Sequence, residues 1–575
     1  MRTEYDSETG NLEIQWGDAE EPVITQFVPV SEPEVAETPV LTIPTETAPV
    51  AETPASELLT AEPSQTTEPV VATSPRTSNN NEATIAPTPT EPEPTPIETE
   101  PETPDTSNPV EIETTIEEIP EPQEATPPSD SIPSPPTVTP TDVIIAETLA
   151  TGTPDDVVST LDELFETEFE EAAGENLDDD TETVSAETIR QTLRDLEVQT
   201  QRRAVVIYAK TLVLPDNPDT EQLVLAMVVP DGPPIVKTLN LPTGELDEQV
   251  QLFLQDINVP DSDSYLTLAR QLYDWLIAPL ETAIESRNVD LLVFSLDAGL
   301  RHLPLAALHD GEQFLIERFS FGTIPSVSLT DTRYRRLGDD RVLAMGASEF
   351  PNSTLPPLPA VPMELAAIVN TPLEPEFPEL PILGSWNGRG FLNRGFTQRN
   401  LQRERQRDTY AIVHLATQAK FVPHDRDSAY VQFWDGSVSL DGLRSVEWYA
   451  PPTVELLVLS ACRTALGDRQ AEMGFAGLAV RAGVKSAIAS LWKINDLATL
   501  GAIAQFYVNL QESPLKAEAL QQAQLALLRG ELTVRDGKIV GNDLEIPLSE
   551  GYGDLTLDLS HPYYWAGFTT IGSPW

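Results

Sequence analysis

Two stretches decide how this sequence folds: "YAIVHLATQAKF", residues 410–421, which holds "HLATQAKF" at 414–421, and "VELLVLSACRTALGD", residues 454–468. Both begin as apolar runs too continuous for a sheet with one wet face, and both then break into polar residues. Such runs are the pattern of strands buried on both faces of a parallel sheet. "VDLLVFSL" (289–296), "RVLAMGAS" (341–348) and "SAIASLW" (486–492) repeat it, with helix-forming segments between them. The alternation predicts an α/β fold with a mostly parallel sheet flanked by helices. Open sheets of this class carry their functional groups at the carboxyl ends of strands. The two deciding runs lead into Gln418 and Cys462.

Upstream, "TPDDVVSTLDELFETEF" predicts that order begins near residue 153 with a helix. Its Val157, Leu161, Leu164, Phe165 and Phe169 recur at helical spacing behind a Thr-Pro-Asp start. A second helix over 186–198 lines up Ile189, Leu193 and Leu196. "RAVVIYAK", "QLVLAMVV" and "PIVKTLN" read as three strands separated by turns, and a helix is expected over 263–286.

The rest of the chain is of a different kind. Residues 1–180 hold 43 Asp or Glu against two Arg and no Lys, so they carry most of the formal charge of −59. Residues 27–152 repeat Glu, Pro and Thr with few large apolar side chains to offset ordering entropy, and are expected to be a disordered acidic linker. Residues 1–26 read as a short hairpin around Thr9-Gly10-Asn11 or a linear motif. Charge this negative argues against nucleic acid or an anionic membrane as partner. With no run near the roughly 20 apolar residues of a membrane span, the expectation is a cytoplasmic chain. One cysteine excludes an internal disulfide framework and any cysteine-built metal site. The histidines (His302, His309, His414, His424 and His561) show no ligand spacing, so no metal and no cofactor is expected.

"HLATQAKF" and "VELLVLSACRTALGD" resemble the motifs of the CHAT domain, in the form abundant in cyanobacteria, a caspase-like branch of the clan that includes caspases, metacaspases and separase. "SLDAGLRHLPLAALHDGEQFLIERFSFGTIPS", "GFAGLAVRAGVKSAIASLWKINDLAT", "KAEALQQAQLALLRG" and "SHPYYWAGFTTIG" are similar to further CHAT segments, in the same order. The resemblance is strong over 255–575, looser over 153–254, taken as an N-terminal helix and strand subdomain of the same region, and absent before. It implies a caspase-like fold and a Cys/His peptidase dyad. Cys462 stands at the nucleophile position. Where the family has His-Gly, this chain has Gln418 and Ala419.

Gln hydrogen-bonds but does not titrate, whereas a free thiol with a pKa of about 8.5 needs a partner to become thiolate at pH 7. The reading is therefore a pseudo-peptidase, a regulatory or scaffold module that binds a protein or peptide. The alternative is an active cysteine endopeptidase with a substitute base. His424, in the loop "VPHDRDS", is the candidate base, Arg463 could lower the thiol pKa by charge, and the N–H of Ala419 keeps an oxyanion donor. Other residues of the family motifs have structural readings. His414 is a hydrogen-bonded core histidine on an apolar strand, Asp297 a turn residue, Asp496 a helix cap, and His561 and Trp565 order the last strand.

Overall fold

The computed structural model describes the backbone of Arg2–Asp6, Asn11–Gln15 and Val23–Thr25 and then residues 138–173, 184–214, 217–260, 262–351, 354–375, 380–420, 430–439, 442, 448, 453–462, 483–548 and 555–575. The chain divides into units of residues 1–122 and 123–575. In the first unit β1 (Arg2–Asp6) and β2 (Asn11–Gln15) form an antiparallel pair. A third strand that the sequence reading did not include, β3 (Val23–Thr25), pairs with β2. The linker expected over 27–152 lies outside the described residues up to 137.

Order in the second unit starts earlier than residue 153. Helix α1 (Pro140–Thr151) opens with a capping box: Thr139 Oγ1 accepts from the Asp142 amide at 3.2 Å, and Asp142 Oδ2 accepts from the Thr139 amide at 2.7 Å. The signal was present as Thr-Pro-Thr-Asp, with proline at the first helical position, where its missing N–H is harmless. The Pro/Thr-rich composition around it hid the cap. Helices α2 (Pro154–Ala173) and α3 (Ala186–Thr200) follow, burying Val157, Leu161, Phe165, Ile189, Leu193 and Leu196 as their spacing predicts.

Next come β4 (Ala204–Val213), β5 (Thr220–Val228), β6 (Ile235–Pro242) and α4 (Glu245–Ile257). The helix expected over 263–286 is two, α5 (Tyr265–Leu276) and α6 (Ala278–Glu285), because Pro279 has no N–H for the helical ladder. β7 (Leu291–Leu296), the short α7 (Leu315–Arg318) and β8 (Ser320–Ile324) complete this half. The other half holds β9 (Val342–Gly346), α8 (Val361–Ile368), β10 (Leu373–Glu374), β11 (Gly388–Leu392), α9 (Gln398–Arg407) and β12 (Ile412–Lys420). It continues with the hairpin β13 (Tyr430–Phe433) and β14 (Gly436–Ser439), then β15 (Leu456–Cys462) and β16 (Ser486–Ser490). After α10 (Asp496–Glu512) and α11 (Lys516–Leu528), a small antiparallel sheet of β17 (Thr533–Arg535), β18 (Lys538–Val540) and β19 (Glu545–Pro547) precedes β20 (Phe568–Gly572).

One sheet runs β10-β11-β9-β12-β15-β16-β20-β8-β7-β4-β5-β6. It is a mixed α/β sheet, mostly parallel. The links from β10 to β16 are parallel, as are those from β20 to β4, and the two parallel runs meet where β16 and β20 pair antiparallel. β5 and β6 add an antiparallel edge. Helices cover both faces, which the alternation along β4 makes concrete: Val205, Ile207 and Ala209 join one buried cluster, while Val206 and Tyr208 join another with α1, α2 and α3. Because β4 pairs with β7, the segment 153–254 extends the same sheet, and a boundary at 254/255 falls inside α4. Among the described residues no helix is long and apolar enough to cross a membrane.

Candidate functional site

β12 is buried from Ile412 through Ala419 because it lies between β9 and β15 under helices on both sides. Its polar residues are therefore forced to find partners or stand at the strand end. The pairing of β12 with β15 sets Ile412 opposite Leu456 and, six residues on, Gln418 opposite Cys462. Adjacent strands lie about 4.8 Å apart, so the two residues singled out in the sequence are neighbours at the carboxyl ends of neighbouring parallel strands. Gln418 is 5% exposed, and its Nε2 lies 3.4 Å from the Pro356 carbonyl, in the segment leading to α8.

The strand does not end at Gln418. It continues to Lys420, past the last β9 pair at Ala416, and there Ala419 and Lys420 pair antiparallel with Val431 and Tyr430 of β13. Thr417, fully buried, donates from Oγ1 to the Gln432 carbonyl and fastens the same hairpin. Ala419 is thus extended backbone and is not among the positive-φ residues. An alanine in place of glycine introduces no backbone strain there. His424 and Arg463 lie outside the described residues.

Four residues before Gln418, on the same face of the strand, His414 is completely buried beside Glu364 of α8 and Tyr507 of α10. Its Nε2 is 3.1 Å from Glu364 Oε1, yet the direction is too oblique for a hydrogen bond. Both ring nitrogens, Glu364 Oε1 and Tyr507 Oη lack hydrogen-bond partners among the described residues. His414 is a core residue as expected from its strand, but it is not the hydrogen-bonded one. Burial and the charge of Glu364 push the Tyr507 phenol well above its ordinary pKa. Glu364 had a sequence signal, a single carboxylate in the apolar run "VPMELAAIV". Tyr507 had none, since 93 positions separate it from His414.

The remaining candidates lie apart from this pair. Asp297 follows β7 and is buried; it accepts from Lys210 Nζ at 2.8 Å and from the Thr211 amide at 3.0 Å. Lys210 also meets Glu168 of α2 at 2.6 Å. Burial alone would raise the Asp297 pKa, but the charge and hydrogen bonds of Lys210 and Thr211 outweigh it and hold the carboxyl below its usual value. Asp297 is therefore more than a turn residue: it is half of a buried ion pair, signalled by Lys210 as the lone charge in "AVVIYAK". Asp496 is not the helix cap. Asn495 is, its side chain accepting from the amides of Leu497 and Ala498 at 2.9 and 3.3 Å, with Asp496 in the first turn. His561 accepts from the Tyr563 amide through Nδ1 and sets Nε2 3.0 Å from the Ser262 carbonyl; Trp565 donates to the Ser560 carbonyl. Among the described residues no group of His, Cys, Asp and Glu could hold a metal ion.

Comparison with known proteins adds to this geometry. The family model described as CHAT domain matches residues 266–573. No curated protein matches the chain. Among solved structures, one from the Saccharomyces cerevisiae separase–securin complex is similar at 10% identity and a TM-score of 0.41, over 75% of this chain and 34% of that one. The Arg-specific cysteine proteinase gingipain R is similar at 10% identity and a TM-score of 0.32, over 58% of this chain and 74% of that one. This chain thus spans about a third of the separase–securin chain it matches.

Proposed function

Since the chain belongs to the CHAT domain family, we propose that it is a member whose peptidase dyad is degraded and whose cleft at the ends of β12 and β15 binds a protein or peptide as a regulatory or scaffold module. The observation that carries this reading is the register of Gln418 against Cys462. The register sets positions 418 and 462 side by side along the backbone, and the side chain at 418 is a carboxamide. Gln418 can neither draw a proton from the thiol nor return one to a leaving amine. Loss of a positioned acid/base lowers rates about 10²–10⁴-fold, and amide hydrolysis suffers most because its leaving group needs that proton.

The test uses the single cysteine as its own reporter. The alkylation rate of Cys462 against pH should show a midpoint at or above the ordinary thiol range. In Gln418→His with Ala419→Gly the midpoint should fall, because the imidazole would then stabilise a thiolate. A midpoint well below the free-thiol value in the unaltered protein, together with peptide cleavage lost on Cys462→Ala, would overturn the reading in favour of a cysteine endopeptidase. His424→Ala would then decide whether His424 is the substitute base.

A further inference from the structure

Among the described residues, one helix of the second unit carries a row of arginines that nothing described so far uses. Helix α9, "QRNLQRERQR", has Arg at 399, 403, 405 and 407, and Arg394 lies just before it. Arg394, Arg399, Arg403 and Arg407 are exposed. Arg399, Arg403 and Arg407 recur every fourth residue and so form one stripe along the helix. The inward side is different: Leu401, Glu404 and Arg405 are buried.

The stripe is poorly neutralised. Glu404 already holds Arg389 in a close pair, and Arg403 and Arg407 each approach the same carboxylate no nearer than 3.6 Å. Arg394 and Arg399 make no ion pair among the described residues. Arg399 is the second residue of the helix, where the macrodipole disfavours a cation. The charge there is thus not supplied for helix stability. The chain as a whole has 34 basic residues against 93 acidic ones, so a row of arginines on one helix is a local reversal of its character. Arginine rather than lysine throughout suits planar, two-pronged capture of carboxylates.

We propose that the exposed face of α9 is a docking surface for an extended acidic peptide with a carboxylate at every second position. The spacing supports that occupant. Four residues of helix rise about 6.0 Å, and two residues of an extended β-type strand span about 6.6 Å with both side chains on the same face. Successive Glu side chains of an extended Glu-Thr-Glu-Thr peptide therefore meet successive arginines of the stripe. Duplex nucleic acid is the weaker fit, because with one charge per about 1.7 Å it carries several times the charge density that the arginine row can match, and the negative charge of the chain repels that excess. The surface is distinct from residues 418 and 462, so its fate is independent of the reading given for them.

The experiment is fluorescence anisotropy with the full chain and a labelled (Glu-Thr)8 peptide at low salt. Binding should weaken about tenfold or more in Arg399→Gln with Arg403→Gln, largely persist in Arg399→Lys with Arg403→Lys, and fall as salt rises. Circular dichroism of each variant checks the fold. No binding to the unaltered protein, or binding indifferent to the glutamine pair, overturns the proposal. Tighter capture of a dT20 oligonucleotide with the same arginine dependence also overturns it, since the surface would then read phosphate rather than a peptide.

Discussion

On the reading proposed above, a single side chain separates two chemistries at position 418, and the register beside Cys462 makes that side chain matter. The backbone of Cys462 pairs in register with that of Gln418 on the adjacent strand. Asp297 illustrates the opposite case, a hallmark residue whose work is done inside the fold. Replacing it by Asn would leave Lys210 buried with Glu168 as its remaining anion. Breaking a buried pair from one side costs about 3–5 kcal/mol, and the urea midpoint of Asp297→Asn should fall accordingly. Replacing both, Lys210→Met with Asp297→Leu, should recover part of the loss. Because the Asp297 pKa is lower in the folded state, its contribution is present above the usual carboxylate range and is lost as pH falls through the folded value. Unfolding of Asp297→Asn should therefore be less sensitive to acid than that of the parent.

At the scale of elements, caps and strand extensions fix where the pieces start and stop. Helix α1 depends on the reciprocal bonds of Thr139 and Asp142, and it seats Ile145 in the cluster under α2 and α3. Thr139→Ala should cost about 1 kcal/mol. The loss should be concentrated in α1, measured as faster hydrogen exchange of its amides than in α3. The composition-based boundary at residue 152 failed here because a short capping signal sat within a Pro/Thr-rich stretch. The end of β12 was equally hidden. Continuous apolar character stops at Thr417, but β13 supplies two further pairs, at Ala419 and Lys420. Pairing partners from elsewhere in the chain, not local pattern, decide such ends.

For the molecule as a whole, the amino ends of β15 and β16 gather charge at the opposite end of the strands from Gln418 and Cys462. Glu455 and Lys485 approach to 3.3 Å there, with Asp331 and Arg335 beside them. Lys516, the first residue of α11, is 3% exposed, and its Nζ has no hydrogen-bond partner among the described residues. Burial pushes its pKa down to about 7, against the pull of Glu455. An unfolded lysine titrates near 10.4, so between about pH 7 and 10 the unfolded chain binds the extra proton. Stability should therefore rise with pH across that window, by at most about 1.4 kcal/mol per unit from this group. Below pH 7 the full penalty of a buried ammonium is present. Lys516→Met should be more stable at pH 7 and lack this part of the rise, as urea titrations from pH 7 to 9.5 would reveal.

Apolar continuity in "YAIVHLAT" and "VELLVLSA", with helical spacing in the segments around them, was enough by itself to determine a helix-covered, mostly parallel sheet, but not that the strand through Gln418 runs on to Lys420. That much is local, because burial on both faces leaves a one-dimensional trace in the sequence. What sits beside what is not local. Lys210 meeting Asp297, Tyr507 closing on His414, the unpaired Lys516, and the antiparallel seam between β16 and β20 join residues far apart in the chain. Only the tertiary structure decided these, since their energy comes from desolvation and pairing across elements, to which no single segment's periodicity is sensitive.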